Sequence, residues 1–271
     1  MARRILSSAL SVGLLASGLL AQTQPSGFFS TACIKVNAGK GSEYRQFVSD
    51  YSHKMMQVRM EAGDIAGWTL LRSVIPAGED ARCDYVSITN FKAAPPPPPG
   101  PEGVERALQK AGLKLTAAEF FAKRDALTRL VATEMWRSQI RVAASEKGDY
   151  LYVNFMKVHK MNDYVKFERE VWKALAEAWV KDGAMRGWSF STAFLPGGTE
   201  RQYAAASVDI FPSWEAVFKP LPFAETFKQV HPGKQQNETM SELVKLRDLA
   251  RRELYVVHDK VGSAAPVSSQ K

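Results

Sequence analysis

The sequence predicts an α+β protein made of two tandem β-α-β-β-α-β units, and three observations carry that expectation. Residues 67–76, beginning Gly67-Trp68 and ending in Pro76, recur 120 residues later as 187–196, beginning Gly187-Trp188 and ending in Pro196. Tyr44, Phe47 and Phe91 recur at the same offset as Tyr164, Phe167 and Phe211. Each Gly-Trp stretch follows a long amphipathic segment and precedes a turn and a second strand-like run. A fixed period this long marks a duplicated unit, because solenoid repeats are shorter.

The first unit spans residues 28–145. Residues 31–36 alternate in polarity and stop at Asn37-Ala38-Gly39, which is the pattern of a strand. Ser42 opens a helix in which Tyr44, Phe47, Val48, Tyr51, Met55 and Val58 share one face, and Gly63 ends it. Strands over 68–75 and 85–91 follow, joined by a turn at Pro76-Ala77-Gly78. Pro95 to Pro99 must be extended, since proline has no N–H to give a helix or sheet. We read that run as a spacer, with a peptide-docking role as the alternative. Helical segments over 104–133 and a strand near 136–142 close the unit.

The second unit, 149–261, repeats this order. A strand over 151–158 leads to a cap at Asn162 and a helix with Tyr164, Phe167, Val171, Leu175 and Trp179 on one face. The Gly-Trp strand, a turn at Pro196-Gly197-Gly198 and a strand over 203–211 come next. A proline-containing stretch, a helix over 238–253 and a strand over 254–261 finish it, and the small polar tail 262–271 is expected to be disordered. Right-handed crossovers put the strands of such a unit in the order 4-1-3-2, with both helices on one face and the other face bare. Two bare faces in one chain can cover each other as a barrel.

On this element order, the duplicated Gly-Trp strand and the helix patterning, residues 28–261 resemble the dimeric α/β-barrel superfamily of ferredoxin-like units, in its fused two-repeat form. The resemblance implies the architecture. It also implies a range of activities: cofactor-free monooxygenases, haem-binding chlorite-dismutase-like proteins, small isomerases and ligand-sensing domains. No catalytic motif of any of these is matched, so fold alone does not choose among them.

Arg3 and Arg4 precede an apolar run over 5–20, followed by Ala21-Gln22, the order of a secretory signal peptide cleaved after Ala21. Serines and glycines interrupt the run, which is too broken for the ~20 apolar residues of a membrane span. The mature protein is therefore expected to be periplasmic or extracellular, without a membrane span. The formal charge is +8, and the basic residues are scattered among acidic ones rather than clustered as nucleic-acid binding requires. No CxxC, HExxH or CxxCH motif occurs, so no metal site and no cofactor are expected. His231 precedes Pro232-Gly233 and is read as ending a segment, a poor position for an axial haem ligand.

Strand alternation nominates the barrel lining. Thr31, Cys33 and Lys35 are read as facing inward, with Val153, Phe155 and Lys157 as their counterparts. In the third strands, the apolar sets containing Val86, Ile88, Val208 and Ile210 are assigned to the helices, which turns Tyr85 and Asp209 inward. His258 is placed beside Lys157 and Asp209, giving a candidate lining of Lys157, Asp209, His258, Lys35 and Tyr85. The competing reading pairs Lys157 with Asp209 and leaves His258 in water. Trp68 and Trp188 are read as core. Export permits a Cys33–Cys83 bond, but a regular ladder would separate the two along the sheet by about 13 Å, so two free thiols are expected. The functional expectation is an exported small-molecule-binding protein. The alternatives are a cofactor-free oxygenase or isomerase acting through Lys157, Asp209 and His258, and an interaction protein with a filled barrel.

Overall fold

The computed structural model describes residues 27–262. The signal segment expected over 1–21 and the tail beyond Gly262 lie outside the described residues. The first unit runs β1 (Phe28–Val36), α1 (Gly41–Phe47), a π-helical turn (Val48–Ser52), α2 (His53–Glu61), β2 (Gly67–Ile75), β3 (Tyr85–Asn90), α3 (Pro101–Lys110), α4 (Ala117–Leu127) and β4 (Thr128–Arg141). The second runs β5 (Tyr150–Val158), α5 (Met161–Phe167), a π-helical turn (Glu168–Trp172), α6 (Lys173–Lys181), β6 (Gly187–Leu195), β7 (Ala205–Phe211), α7 (Trp214–Val217), α8 (Phe223–Val230), α9 (Gln236–Leu246) and β8 (Arg247–Val261). Gly63 (φ 81°) and Gly183 (φ 74°) take the left-handed conformation that ends α2 and α6.

The strands close an antiparallel barrel in the order β1-β3-β2-β8-β5-β7-β6-β4. Within it each unit keeps the expected 4-1-3-2 order. The long last strands join the units: β4 pairs with β1 and then with β6, and β8 pairs with β5 and then with β2. They reach 14 and 15 residues, so the helices expected over 104–133 and 238–253 end sooner than the sequence suggests. The early parts of both strands are rich in Leu, Ala, Arg and Glu, residues at home in a helix. Pairing with β1 and β5 overrides that local preference.

The repeated Gly-Trp pair sits at these seams. A Cβ on Gly67 would lie 3.2 Å from the Val261 carbonyl oxygen, and one on Gly187 would lie 3.1 Å from that of Ala143. In each case the neighbour belongs to the other unit's last strand or the residues just after it, and a side chain would push it away. Trp68 and Trp188, both 2% exposed, turn the opposite way into the helix-side cores. A third core lies inside the barrel, around Leu71, Trp136, Leu151, Tyr203, Tyr255 and Val257.

The cysteines differ from expectation. Cys33 and Cys83 form a disulfide with Cα atoms 5.2 Å apart. The ladder does not run on through Cys83. Asp84 takes the place beside Val36, accepting its N–H at 2.8 Å, and the chain before Asp84 turns inward across the barrel mouth. That turn carries Cys83 to Cys33, and Arg82 with it.

Candidate functional site

The barrel encloses a cavity of about 180 Å³. Val86, Ile88, Val153, Ala206 and Val208 line its apolar waist. The β ladders place polar groups at both ends. The upper mouth lies where β1 and β5 finish, and the lower mouth lies where they begin.

At the upper mouth, inward-turning segments before β3 and β7 bring Arg82 and Tyr203 to Glu134 of β4. Arg82 Nη1 donates to Tyr203 Oη at 2.6 Å, and that hydroxyl donates to Glu134 Oε1 at 2.6 Å. Arg82 Nη2 is 3.6 Å from the same carboxylate oxygen. The Tyr203 ring lies nearly parallel to Trp136 at 5.9 Å and tilts against Phe155 at 4.7 Å. Arg251 covers Phe155 at 4.5 Å, with Nε 3.2 Å from Glu253 Oε1. Burial pushes the Tyr203 phenol up, and Glu134 adds to it. Burial opposes the Arg82 charge, but Tyr203 and Glu134 outweigh it and hold the guanidinium above its usual range. The two units match here. Trp136 Nε1 donates to Glu134 at 3.2 Å in β4, and Tyr255 Oη donates to Glu253 at 2.5 Å in β8.

At the lower mouth, Arg141 of β4 and Lys260 of β8 line the cavity with Ser189, Thr69 and Asn90. Both cations follow a bulge in the last strand, at Gln139 and at His258, that resets which face points inward. Lys260 Nζ donates to the Ser145 carbonyl at 2.5 Å and lies 3.3 Å from Glu146. Arg141 has no hydrogen-bond or ion-pair partner among the described residues, and burial pushes its guanidinium below its usual range.

None of the five residues nominated from sequence lines the cavity. Lys157 is exposed near the end of β5, opposite Asp248. Lys35 lies at the upper rim, bonded to the Gly78 carbonyl at 2.8 Å and to Asp84 at 3.1 Å. Tyr85 points to the helices, packing against Tyr44 at 4.9 Å. Asp209 also faces the helix layer, accepting from Asn154 at 2.9 Å, and burial pushes its carboxyl up. His258 is the bulged residue, edge-on to Tyr85 at 5.5 Å on the helix side of the first unit. The trio Lys157, Asp209 and His258 therefore does not converge. Both faces of each sheet are buried, so an apolar set does not reveal which face it serves. Here the small apolar sets of β3 and β7 line the cavity. The polar sets behind them are satisfied by partners such as Trp68 Nε1, which donates to Ser87 at 2.8 Å.

Alternation missed Glu134 and Arg251 because their stretches look helical, and Arg82 and Tyr203 because they precede regular strands. One signal was present: Glu134, Trp136 and Arg141 recur as Glu253, Tyr255 and Lys260, all 119 residues on.

The closed eight-stranded barrel, built by two units of one chain, is the architecture that the sequence resemblance implied. No family model and no curated protein matches the chain. Among solved structures it is similar to a presumed monooxygenase from Lactobacillus acidophilus NCFM, at 14% identity and TM-score 0.48, covering 88% of this chain and 98% of that one. A presumed monooxygenase from Fusobacterium nucleatum matches at 12% identity and TM-score 0.49, over 88% of this chain and 94% of that one. An anthrone oxidase-like protein matches at 10% identity and TM-score 0.45, over 92% and 98%. These likenesses concern the fold.

The residues present do not fit a haem. Among the described residues no histidine lines the cavity. His231 ends α8 in the helix layer, where its Nε2 donates to the Val171 carbonyl at 3.1 Å. The space between helices and sheet in that unit is filled by Tyr164, Leu175 and Phe190, each 0% exposed. Among the described residues no helix is long and apolar enough to cross a membrane, and no group of three or more His, Cys, Asp or Glu is placed to hold a metal ion.

Proposed function

We propose that this chain is an exported small-molecule-binding protein whose ligand occupies the barrel interior. The cavity of about 180 Å³, apolar at its waist and polar at both mouths, carries the reading. Small-molecule sites have this composition: mostly apolar walls with a few placed polar groups. A cavity of roughly 150 Å³ holds benzene, so this one suits a single ring with small substituents. The same volume argues against a filled barrel. Export rests on Arg3, Arg4 and the apolar run over 5–20, and the Cys33–Cys83 bond suits an oxidising compartment.

The test is mass spectrometry of small molecules released from the purified protein, repeated on Ala206→Phe. Ala206 faces the waist, so a phenyl ring there occupies the ligand's volume. A stoichiometric compound released by the wild type and absent from a folded Ala206→Phe variant is expected. Retention of that compound by the variant would place the site elsewhere.

A second reading, a cofactor-free oxygenase or isomerase, draws on the Arg82–Tyr203–Glu134 network facing the same cavity. A carboxylate and a phenol on an apolar wall are groups suited to proton transfer. Turnover of the released compound by the wild type, lost in a Tyr203→Phe variant that still binds it, would favour this reading. Absence of turnover leaves the binding protein.

A further inference from the structure

We propose that the cavity selects a small aromatic carboxylate, its acid group held by Arg141 at the lower mouth and its ring in the apolar waist. This rests on the binding reading above and names the ligand class. Four cations line the cavity: Arg82, Arg141, Arg251 and Lys260. Arg82 lies 3.6 Å from Glu134, and Arg251 lies 3.2 Å from Glu253. Lys260 lies 3.3 Å from Glu146. Arg141 alone among these cations has no carboxylate partner among the described residues. A sequestered charge without a counter-charge is costly, and an incoming anion offsets that cost. A guanidinium presents two parallel N–H groups that match the two oxygens of a carboxylate.

Position supports the same assignment. Ser189 sits opposite Arg141 in the β4–β6 ladder and lines the same mouth, offering a hydroxyl beside the guanidinium. Above it the wall is apolar as far as Trp136, which stacks on Phe29 with ring planes 9° apart. Phe29 and Trp136 both line the cavity, and an aromatic ring packs well against aromatic walls. At the upper mouth the two cavity-lining cations already have carboxylates beside them, Arg82 with Glu134 and Arg251 with Glu253. The volume limits the ring system to about one ring with small substituents.

The experiment is titration calorimetry of the purified full chain, freed of ligand, with benzoate and benzyl alcohol, which share a ring and differ in charge. Benzoate is expected to bind at least about tenfold more tightly. Arg141→Gln is expected to remove that preference, and Arg141→Lys to keep part of it. Equal binding of the two probes by the wild type would overturn the carboxylate assignment while leaving the cavity as a site. Binding of neither would overturn the ligand class and leave the binding reading to the co-purification test. A preference for benzoate that survives in Arg141→Gln would place the anion on another residue. The comparison of probes on the wild type decides the class even where a variant does not fold.

Discussion

Cys33 and Cys83 are bonded where the second unit instead brings two aromatic rings together. Cys33 corresponds to Phe155 in the register of the first strands, and Cys83 corresponds to Tyr203, 120 residues on. The cysteines are 5.2 Å apart at Cα, and the aromatic rings are 4.7 Å apart at their centroids. Each pair ties the segment before the unit's third strand to its first strand. The same fold position is held covalently in one unit and by packing in the other.

The bond closes a loop with a sequence separation of 50. Replacing both cysteines with alanine is expected to lower stability by about 2–4 kcal/mol. Denaturant midpoints of the wild type and the double variant, both without reductant, measure it. An unchanged midpoint would show that the two segments are held without the bond.

Tyr203→Phe removes the hydroxyl that bridges Arg82 and Glu134. Two charged groups each lose a short hydrogen bond while the ring keeps its stack on Trp136. A loss of about 1.5–3 kcal/mol is expected, as for hydrogen bonds to charged groups. Equilibrium denaturation reads the loss, and unchanged stability would mean that water replaces the hydroxyl without cost.

Glu168 is buried in the second unit's helix layer, where burial pushes its carboxyl up to about 8. Tyr164 and Arg247 beside it pull the other way, and Asp209 reinforces the rise. In the unfolded chain the group ionises near pH 4.3. Between about pH 4.3 and about pH 8 the folded state therefore binds more protons, and stability falls as pH rises through that window. Glu168→Gln is expected to match the wild type near pH 5 and to exceed it at pH 8.5 by on the order of 4 kcal/mol. Denaturation curves at the two pH values settle it, and a variant weaker than the wild type at pH 8.5 would mean an ionised, paired carboxylate.

The units should not stand alone. Separating the chain within 145–148 leaves β4 without β6 and β8 without β2, and it exposes the interior core around Leu71, Trp136 and Tyr255. Each half expressed alone is expected to aggregate or self-associate, and the two halves to reconstitute the barrel when refolded together. Sedimentation of the halves, alone and mixed, reads this out. Two stable monomers indifferent to each other would contradict the shared barrel.

Much of the fold was legible because it is written twice. The Gly-Trp strands, the Tyr44 and Tyr164 helix faces and the Gly63 and Gly183 helix stops each rest on local chemistry. That chemistry fixes strand or helix wherever it occurs, and repetition at one offset turns separate signals into a duplicated unit. The order 4-1-3-2 then follows from the handedness of the crossovers. The candidate site was not legible in the same way. Residues 128–135 have the composition of a helix and become strand only because β1 lies beside them, and with them Glu134 enters the barrel wall.

The sequence by itself determined the elements, their duplication and the pairing of two open sheets, because periodicity and turn residues act over a few positions of chain. Tertiary structure alone decided which face of each strand meets the cavity. With both faces buried, burial gives alternation no sign, so Val208 and Asp209 were distinguishable only once the barrel had closed. It also decided the bulges at Gln139 and His258, which swing Arg141 and Lys260 inward and leave His258 outside. The inward turn at Cys83 belongs to the same class. A one-residue departure from a regular ladder reverses or displaces a side chain, and the contacts that stabilise it come from strands far away in sequence.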